Sequence, residues 1–356
     1  MPTAFDPIEL LGHRLASRIV MAPMSRARAA GPEACPGPST VTYYRQRASA
    51  GLIISEAIFP SPESRGQPAT PGIYTKQQTA AWRRVTDAVH TEGGVIVGQL
   101  MHTGRIGHPL FLADGRPPLA PSAVRADHQV FTPEGIRPCV QPREMSSADI
   151  ARTVAHYSAA ASNLVEAGFD GVEIHAANGF LAHQFLSSAV NRRTDEWGGD
   201  VARRIRFVVE LAEAVGAVAG ADRVGVQISP GNPFNDMADP EADELYPALV
   251  AELKRIGLAY LEVSEAPDTD LVARLRKQWE GVFILNPRTA PRPTGLEDLA
   301  LVEQGATDMI SYGALFLANP DLPTRLAAGG PFNTPKPEAF YGGGDEGYID
   351  YPTLED

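Results

Sequence analysis

Cysteine is nearly absent: Cys35 and Cys139 are the two in 356 residues, too few and too far apart for a disulfide framework or a metal-ligand spacing. They read as free thiols of a reducing compartment. Basic residues are also short, with 31 Lys and Arg against 43 Asp and Glu, for a formal net charge of -12. Nucleic acid and anionic membranes require a concentrated basic face, so neither is expected as a partner, and small molecules are expected instead. No apolar run approaches the roughly 20 residues that cross a bilayer. The opening residues, Met1-Pro2-Thr3-Ala4-Phe5-Asp6, lack the basic stretch of an export signal, so a cytoplasmic location is expected. The histidines do not fall at HExxH-type spacing; His102, His108 and His128 lie in or beside one long loop and read as structural.

What is present is an ordinary globular composition, 44% hydrophobic and 21% charged, enough for a sizeable core. The length suits one α/β barrel, so residues 1–356 are expected to form a single (β/α)8 domain. Short apolar runs of buried-strand character recur at 18–23, 51–57, 95–100, 171–176, 223–229, 259–263, 282–285 and 308–312. Helical stretches separate them. These cover 39–50 and 76–92, a helix opened by Ser146 or Ser147 with Ile150, Val154, Tyr157, Ala161 and Leu164 on one face, and one with Ile205, Val208, Ala212 and Val215. The remainder are one with Leu245, Leu249, Leu253 and Ile256, then 268–279, 295–303 and about 319–327. Eight strands each followed by a helix describe a TIM barrel of parallel strands.

A hairpin at residues 8–15 precedes the first strand and is placed to plug one end of the barrel. Residues 102–145 break the alternation after strand three and read as a substrate cap. The Arg203-Arg204-Ile205-Arg206 cluster reads as a solvated helix face.

The fourth strand ends in His175-Ala176-Ala177-Asn178-Gly179-Phe180. A His-x-x-Asn at the C-terminal end of a barrel strand sits where such barrels keep their chemistry, and two side-chain donors aimed at one oxygen stabilise negative charge developing on it. His175 and Asn178 are therefore the candidate catalytic pair. The direction in which Glu173 points is left open by the strand pattern.

Several stretches carry a family resemblance over essentially the whole chain. These are Ala22-Pro23-Met24-Ser25-Arg26, Ile54-Ser55-Glu56, Gln99-Leu100-Met101-His102-Thr103-Gly104-Arg105, the His175 segment, Gln184-Phe185-Leu186, the stretch from Asn191 to Gly199, and Ala318-Asn319-Pro320-Asp321-Leu322. In this order they resemble the old yellow enzyme family of flavin-dependent alkene reductases. The resemblance implies flavin mononucleotide (FMN) at the strand ends, NAD(P)H as electron donor, and hydride transfer to an activated alkene. It places Pro23, Met24 and Ser25 beside the flavin ring, Ala57 and Gln99 at its polar edge, and His175 with Asn178 on the carbonyl or nitro oxygen of the substrate. Met101, Gln67, Phe180 and Tyr351 are the implied substrate-pocket residues. The ending from Tyr341 to Pro352 also resembles the family's, and the resemblance implies that Tyr348 or Tyr351 reaches the substrate mouth from it as a phenol.

The sequence departs from that pattern at five points. Phe180 stands where the family usually has a proton-donating tyrosine, and it cannot donate; Gln67 likewise stands where many members have a tyrosine. Gln227 replaces an arginine aimed at the flavin's charged edge. Gly313-Ala314 replaces the Gly-Arg of the phosphate clamp, and Asn286-Pro287-Arg288-Thr289 replaces a Gly-rich loop, with Arg288 or Arg292 as candidate substitute cations. Two readings stay open: an ene-reductase with a weakened FMN site acting on an unsaturated carbonyl compound, as monomer or homodimer, or a flavin-independent isomerase or cyclase on the same substrate class.

Overall fold

A computed structural model describes residues 2–29, 31, 33–264 and 268–355. The chain opens with an antiparallel hairpin, β1 (Ile8–Leu10) and β2 (His13–Leu15), followed by β3 (Ile19–Met21), α1 (Pro38–Arg45), β4 (Leu52–Ile58), α2 (Lys76–Thr91) and β5 (Ile96–Leu100). An excursion then carries the short strands β6 (Leu119–Ala120), β7 (Gln129–Thr132), β8 (Gly135–Pro138) and β9 (Arg143–Glu144). The alternation resumes with α3 (Ser147–Glu166), β10 (Gly171–Ala176), α4 (Leu181–Leu186), α5 (Val201–Ala219), β11 (Val224–Ile228), α6 (Ala242–Ile256), β12 (Tyr260–Ser264) and α7 (Thr269–Gln278). It closes with β13 (Val282–Asn286), α8 (Ala300–Glu303), β14 (Met309–Tyr312), α9 (Ala314–Ala318) and α10 (Leu322–Ala328).

Eight of these strands close a parallel barrel in the order β10, β11, β12, β13, β14, β3, β4, β5. This is the expected fold, with local differences. The helix expected over about 319–327 is α10, which begins at Leu322; the short α9 precedes it, and Asn319 and Pro320 separate the two, since Pro320 brings no amide hydrogen and Asn319 spends its side chain on the carbonyls of Leu315 and Asn333. The expected helix over 39–50 stops at Arg45.

The barrel interior divides by polarity. Its N-terminal end is apolar, with Val20, Leu52, Ile54, Val97, Ile284 and Met309 packed on Leu10, Leu11 and Leu15 of the hairpin, which plugs that end. Outward-facing Val172 and Ile174 join the large cluster between barrel and helices. Glu173 therefore points inward, which settles the direction that the strand pattern left open.

Two side chains lie differently from their expected places. Arg204 is 3% exposed rather than solvated: its guanidinium donates to the carbonyls of Leu186 and Gly199 and pairs with Glu241, tying α5 to the end of α4. Tyr348 is buried, stacked on Tyr43 at 4.4 Å between ring centroids, with Arg28 over its ring. It fastens the tail and lines no part of the barrel's mouth.

Gly225 shows how tightly the barrel interior is filled. A Cβ there would lie 2.1 Å from the Tyr260 ring, and that ring carries the hydroxyl that donates to Glu173. Gly225→Ala is expected to destabilise the fold by about 1–3 kcal/mol through overpacking, measured as a shift in the midpoint of denaturant unfolding. An unchanged midpoint would show that Tyr260 can move aside freely.

Candidate active site

The C-terminal end of the barrel opens into a cavity of about 350 Å³. Pro23, Met24 and Ser25 line one side, Gly313, Ala314 and Leu317 an adjoining one, and Ala57, Gln99 and Met101 contribute from β4 and β5. His175, Asn178 and Phe180 enter from the end of β10, with Gln67 nearby. The structure thus brings together, in one cavity, most of the residues picked out in the sequence. Among the described lining residues there is no lysine or arginine.

His175 is held in one protonation form. Its Nδ1 accepts the Ala177 backbone N–H at 3.2 Å, so the ring hydrogen resides on Nε2 and faces away from the backbone. Burial, reinforced by nearby His183, depresses its pKa from 6.5 to about 3, because a charged imidazolium is poorly solvated there. The ring is a neutral hydrogen-bond donor at physiological pH. Phe180 meets it edge to face at 5.0 Å and fills the wall with carbon.

Asn178 adopts a left-handed backbone conformation, φ 53°, tolerated by asparagine better than by most residues. Its N–H donates to Ser229 Oγ at 2.8 Å, and its carbonyl accepts from Asn235 Nδ2 at 2.8 Å. Behind it, His183 Nδ1 accepts the Gly179 N–H, while Nε2 faces Asp239, which also accepts from Tyr246. This buried group ties the turn after β10 to the loop after β11.

Below the cavity lies a polar network. Gln99 Nε2 donates to Glu173 Oε1 at 2.8 Å and to Gln227 Oε1 at 3.1 Å, Tyr260 donates to Glu173 Oε2, and Ser311 donates to Glu262 Oε1. Because the Gln99 nitrogen is spent on these partners, its carboxamide oxygen is left as an acceptor. Glu262 Oε2 is buried with no hydrogen-bond partner among the described residues. Burial pushes both carboxyls up, Glu173 further through the adjacent Glu262, so the pair retains a proton near neutrality. Glu262 carried no signal in the sequence beyond an ordinary strand residue; its register beside Gln227 on β11 brings it here.

Several expected residues lie elsewhere. Tyr351 is absent from the cavity lining, and its hydroxyl accepts the Lys336 amide. Gln227 sits beneath the floor. Asn286 donates to the Ser311 carbonyl, and Arg288 is exposed on the loop after β13. Arg292, the other candidate cation, is engaged by Asp298 and Glu297. His102 is buried, with Nδ1 accepting the Gly104 N–H, and among the described residues no group of three or more His, Cys, Asp and Glu could hold a metal.

The tail does reach the mouth, as the resemblance implied, but through other residues than Tyr348 and Tyr351; the loop after β11 was not singled out by the sequence. Phe340 and Tyr341 from the tail and Phe234 from the loop after β11 line the mouth. Arg26 holds the tail in place by donating to the carbonyls of Ala339, Phe340 and Gly347. The 102–145 excursion contributes no lining residue; it packs behind Phe180 and Met101 through Ile106, Val130 and Cys139. Its role at the mouth is to brace other walls. Arg105 donates to the carbonyls of Asn235 and Asp236, and the Asp127 N–H donates to Asp236.

The neutral state of His175 has a measurable sign. The unfolded imidazole takes up its proton near 6.5 and the folded one only near 3, so protonation favours the unfolded chain and stability falls as pH drops through that window. Above about pH 7, His175 adds nothing to the pH dependence. In a ¹⁵N spectrum its Nε2 is expected to carry the hydrogen, with no titration between pH 5 and 8; a midpoint in that range would refute the assignment.

Comparison with known proteins adds to this geometry. The sequence model of the NADH:flavin oxidoreductase / NADH oxidase family matches residues 3–333. The chain is 38% identical over 377 residues to 12-oxophytodienoate reductase 7 of Oryza sativa subsp. japonica, covering 98% of this chain and 94% of that protein. It is 40% identical over 364 residues to a probable flavin mononucleotide-dependent alkene reductase of Leishmania infantum, covering 98% and 96%. A solved structure of morphinone reductase in complex with tetrahydroNAD superposes with a TM-score of 0.94 at 40% identity, covering 99% of this chain and 98% of that one. No helix among the described residues is long and apolar enough to cross a membrane.

Proposed function

The chain belongs to the NADH:flavin oxidoreductase / NADH oxidase family, that of the old yellow enzymes, and from that premise we propose that it reduces the C=C bond of a carbonyl- or nitro-activated alkene. FMN is the cofactor and NAD(P)H the electron donor. The observation that carries the reading is the pair of neutral donors, His175 and Asn178, in a cavity whose walls also include Met24, Met101, Phe180, Phe234 and Leu317. The relatives are named as reductases, which favours this chemistry over a flavin-independent isomerase or cyclase. We further propose that the chain acts as a single barrel domain, monomeric or homodimeric, in the cytoplasm.

The residues present fit the ring of the cofactor. A Cβ at Gly313 would meet only Met24 Sδ, at 3.8 Å, so the backbone there borders open space. Pro23, Met24 and Ser25 would flank the ring, and the free Gln99 oxygen would accept from its polar edge. Gly313 and Ala314 would adjoin the phosphate, where Ala314 brings no charge. Bound there, FMN supplies the hydride that reaches the β-carbon of the alkene.

The remaining steps belong to the chain's own side chains. His175 Nε2–H and the Asn178 carboxamide donate to the substrate oxygen and stabilise the negative charge that gathers on it as the β-carbon is attacked. Both donors are neutral, so they polarise the alkene without protonating the oxygen outright. Phe180 has no proton to give, and among the described lining residues only Ser25 and Tyr341 bear hydroxyls. Tyr341, 69% exposed, stands where water enters, and the α-carbon takes its proton from that side. The apolar walls select a substrate with a flat hydrophobic body and one polar end.

The test is direct. The purified protein, supplied with FMN and desalted, is expected to keep a yellow chromophore and to oxidise NAD(P)H in the presence of 2-cyclohexenone, with His175→Ala and Asn178→Ala losing most of that turnover. No chromophore at saturating FMN and no enone-dependent oxidation would overturn the proposal.

The phosphate end yields a second expectation. Ala314→Arg should tighten FMN binding roughly 10- to 100-fold, the worth of one hydrogen bond to a charged group, read by quenching of flavin fluorescence on titration. No change would mean that the phosphate lies away from residue 314.

A further inference from the structure

The carboxamide of an asparagine has nearly the same shape whichever way it is turned, so its usefulness as a donor depends on what fixes its orientation. At Asn178 that orientation can be traced to a group that cannot turn. The Phe234 backbone N–H donates to Asn232 Oδ1 at 3.0 Å. A backbone N–H is only a donor, so the Asn232 oxygen must face it and the Asn232 nitrogen must face away. That nitrogen, Nδ2, donates to Asn178 Oδ1 at 2.9 Å. The Asn178 oxygen is thereby occupied, and its NH2 is the part left to meet a ligand in the cavity that Asn178 lines.

We propose that Asn232 is a positioning residue that locks Asn178 as a hydrogen-bond donor toward the substrate, with the Phe234 amide as the anchor. This rests on the reading of His175 and Asn178 as the oxygen-binding pair. His175 is set in the same manner by the Ala177 N–H, so each donor is oriented by a main-chain amide, one directly and one through Asn232. Asn235 and Ser229 hold the Asn178 backbone, which leaves Asn232 as the contact on its side-chain oxygen.

The substitution Asn232→Asp changes one donor into an acceptor with almost no change of shape. One oxygen of the new carboxylate still accepts the Phe234 N–H, and the other now faces Asn178. Asn178 then turns to donate its NH2 to that carboxylate and presents its own oxygen to the cavity, where it repels the oxygen of a ligand. Asn232→Ala removes the lock without reversing it.

Benzaldehyde, a flat carbonyl compound with no alkene to reduce, serves as the probe, with its Kd measured by equilibrium dialysis on the FMN-loaded protein. Asn232→Asp is expected to weaken binding about 10- to 100-fold and Asn232→Ala by less, with flavin content unchanged. With 2-cyclohexenone, the loss should appear in KM at least as strongly as in kcat. In an Asn178→Ala background, Asn232→Asp should have little further effect, because its influence passes through Asn178. That double variant separates the proposed role from a general effect of the added charge, which would persist without Asn178.

The two readings fail differently. Equal benzaldehyde binding by the wild type, His175→Ala and Asn178→Ala would overturn the oxygen-binding pair and this proposal with it. Weakened binding in those variants but wild-type binding in Asn232→Asp, or an equal loss from Asn232→Asp with and without Asn178, would overturn the role of Asn232 alone. If Asn232→Asp fails to fold, Asn232→Ala carries the test, and wild-type affinity in that variant refutes the lock.

Discussion

The mouth of this barrel depends on the pleat of β10. Because successive side chains alternate, Val172 and Ile174 pack outward against the helices while Glu173 and His175 point inward. A shift of one residue would bury the apolar pair in the polar interior and expose both functional groups to the helix layer. The register with β5 and β11 prevents that shift: Glu173 sits opposite Gln99, and His175 opposite Gln227. The strand that supplies the donor thus also supplies a carboxyl to the network beneath it.

That network explains how so polar an interior is tolerated. A buried carboxylate without partners is costly, and here Glu173 accepts from Gln99 and Tyr260 while Glu262 accepts from Ser311. A proton retained by the pair lowers the cost further. Nothing cationic lines the cavity above among the described residues, so the site is nearly neutral throughout: a neutral imidazole, amides, and a carboxyl pair that is not fully ionised. Such a site favours a ligand that is polarised but uncharged, and stabilises developing charge by oriented dipoles instead of by a fixed counter-ion.

Legibility in the sequence followed locality. Parallel strands are buried on both faces and read as short apolar runs, so the barrel and its hairpin plug could be read from pattern alone. The His-x-x-Asn pair was legible because its two residues share one strand end. Phe234 and Phe340 were not, since they reach the mouth through contacts far away in sequence, such as Arg26 holding the carbonyls of Ala339 and Phe340. Arg292 looked like a spare cation only because its partner, Asp298, lies across a turn that composition does not reveal. The 102–145 excursion was long and proline-rich like a lid, yet Val130 and Cys139 bury against the back of Phe180 and Met101, which makes it a brace.

The orientation of the two donors is a problem that packing cannot solve. Imidazole and carboxamide groups fit their cavities equally well in either sense, and donor is told from acceptor only by the place of a hydrogen in the first and by the exchange of oxygen and NH2 in the second. Only a neighbour of fixed polarity breaks that symmetry, and the main-chain N–H is the most rigid one available. The turn after β10 supplies such a group to His175 through Ala177, and the loop after β11 supplies another to Asn178 through Asn232. Since that loop is itself tied down by Arg105 and Asp127 from the excursion, the polarity of the site is traceable to main-chain geometry at three separate points of the chain.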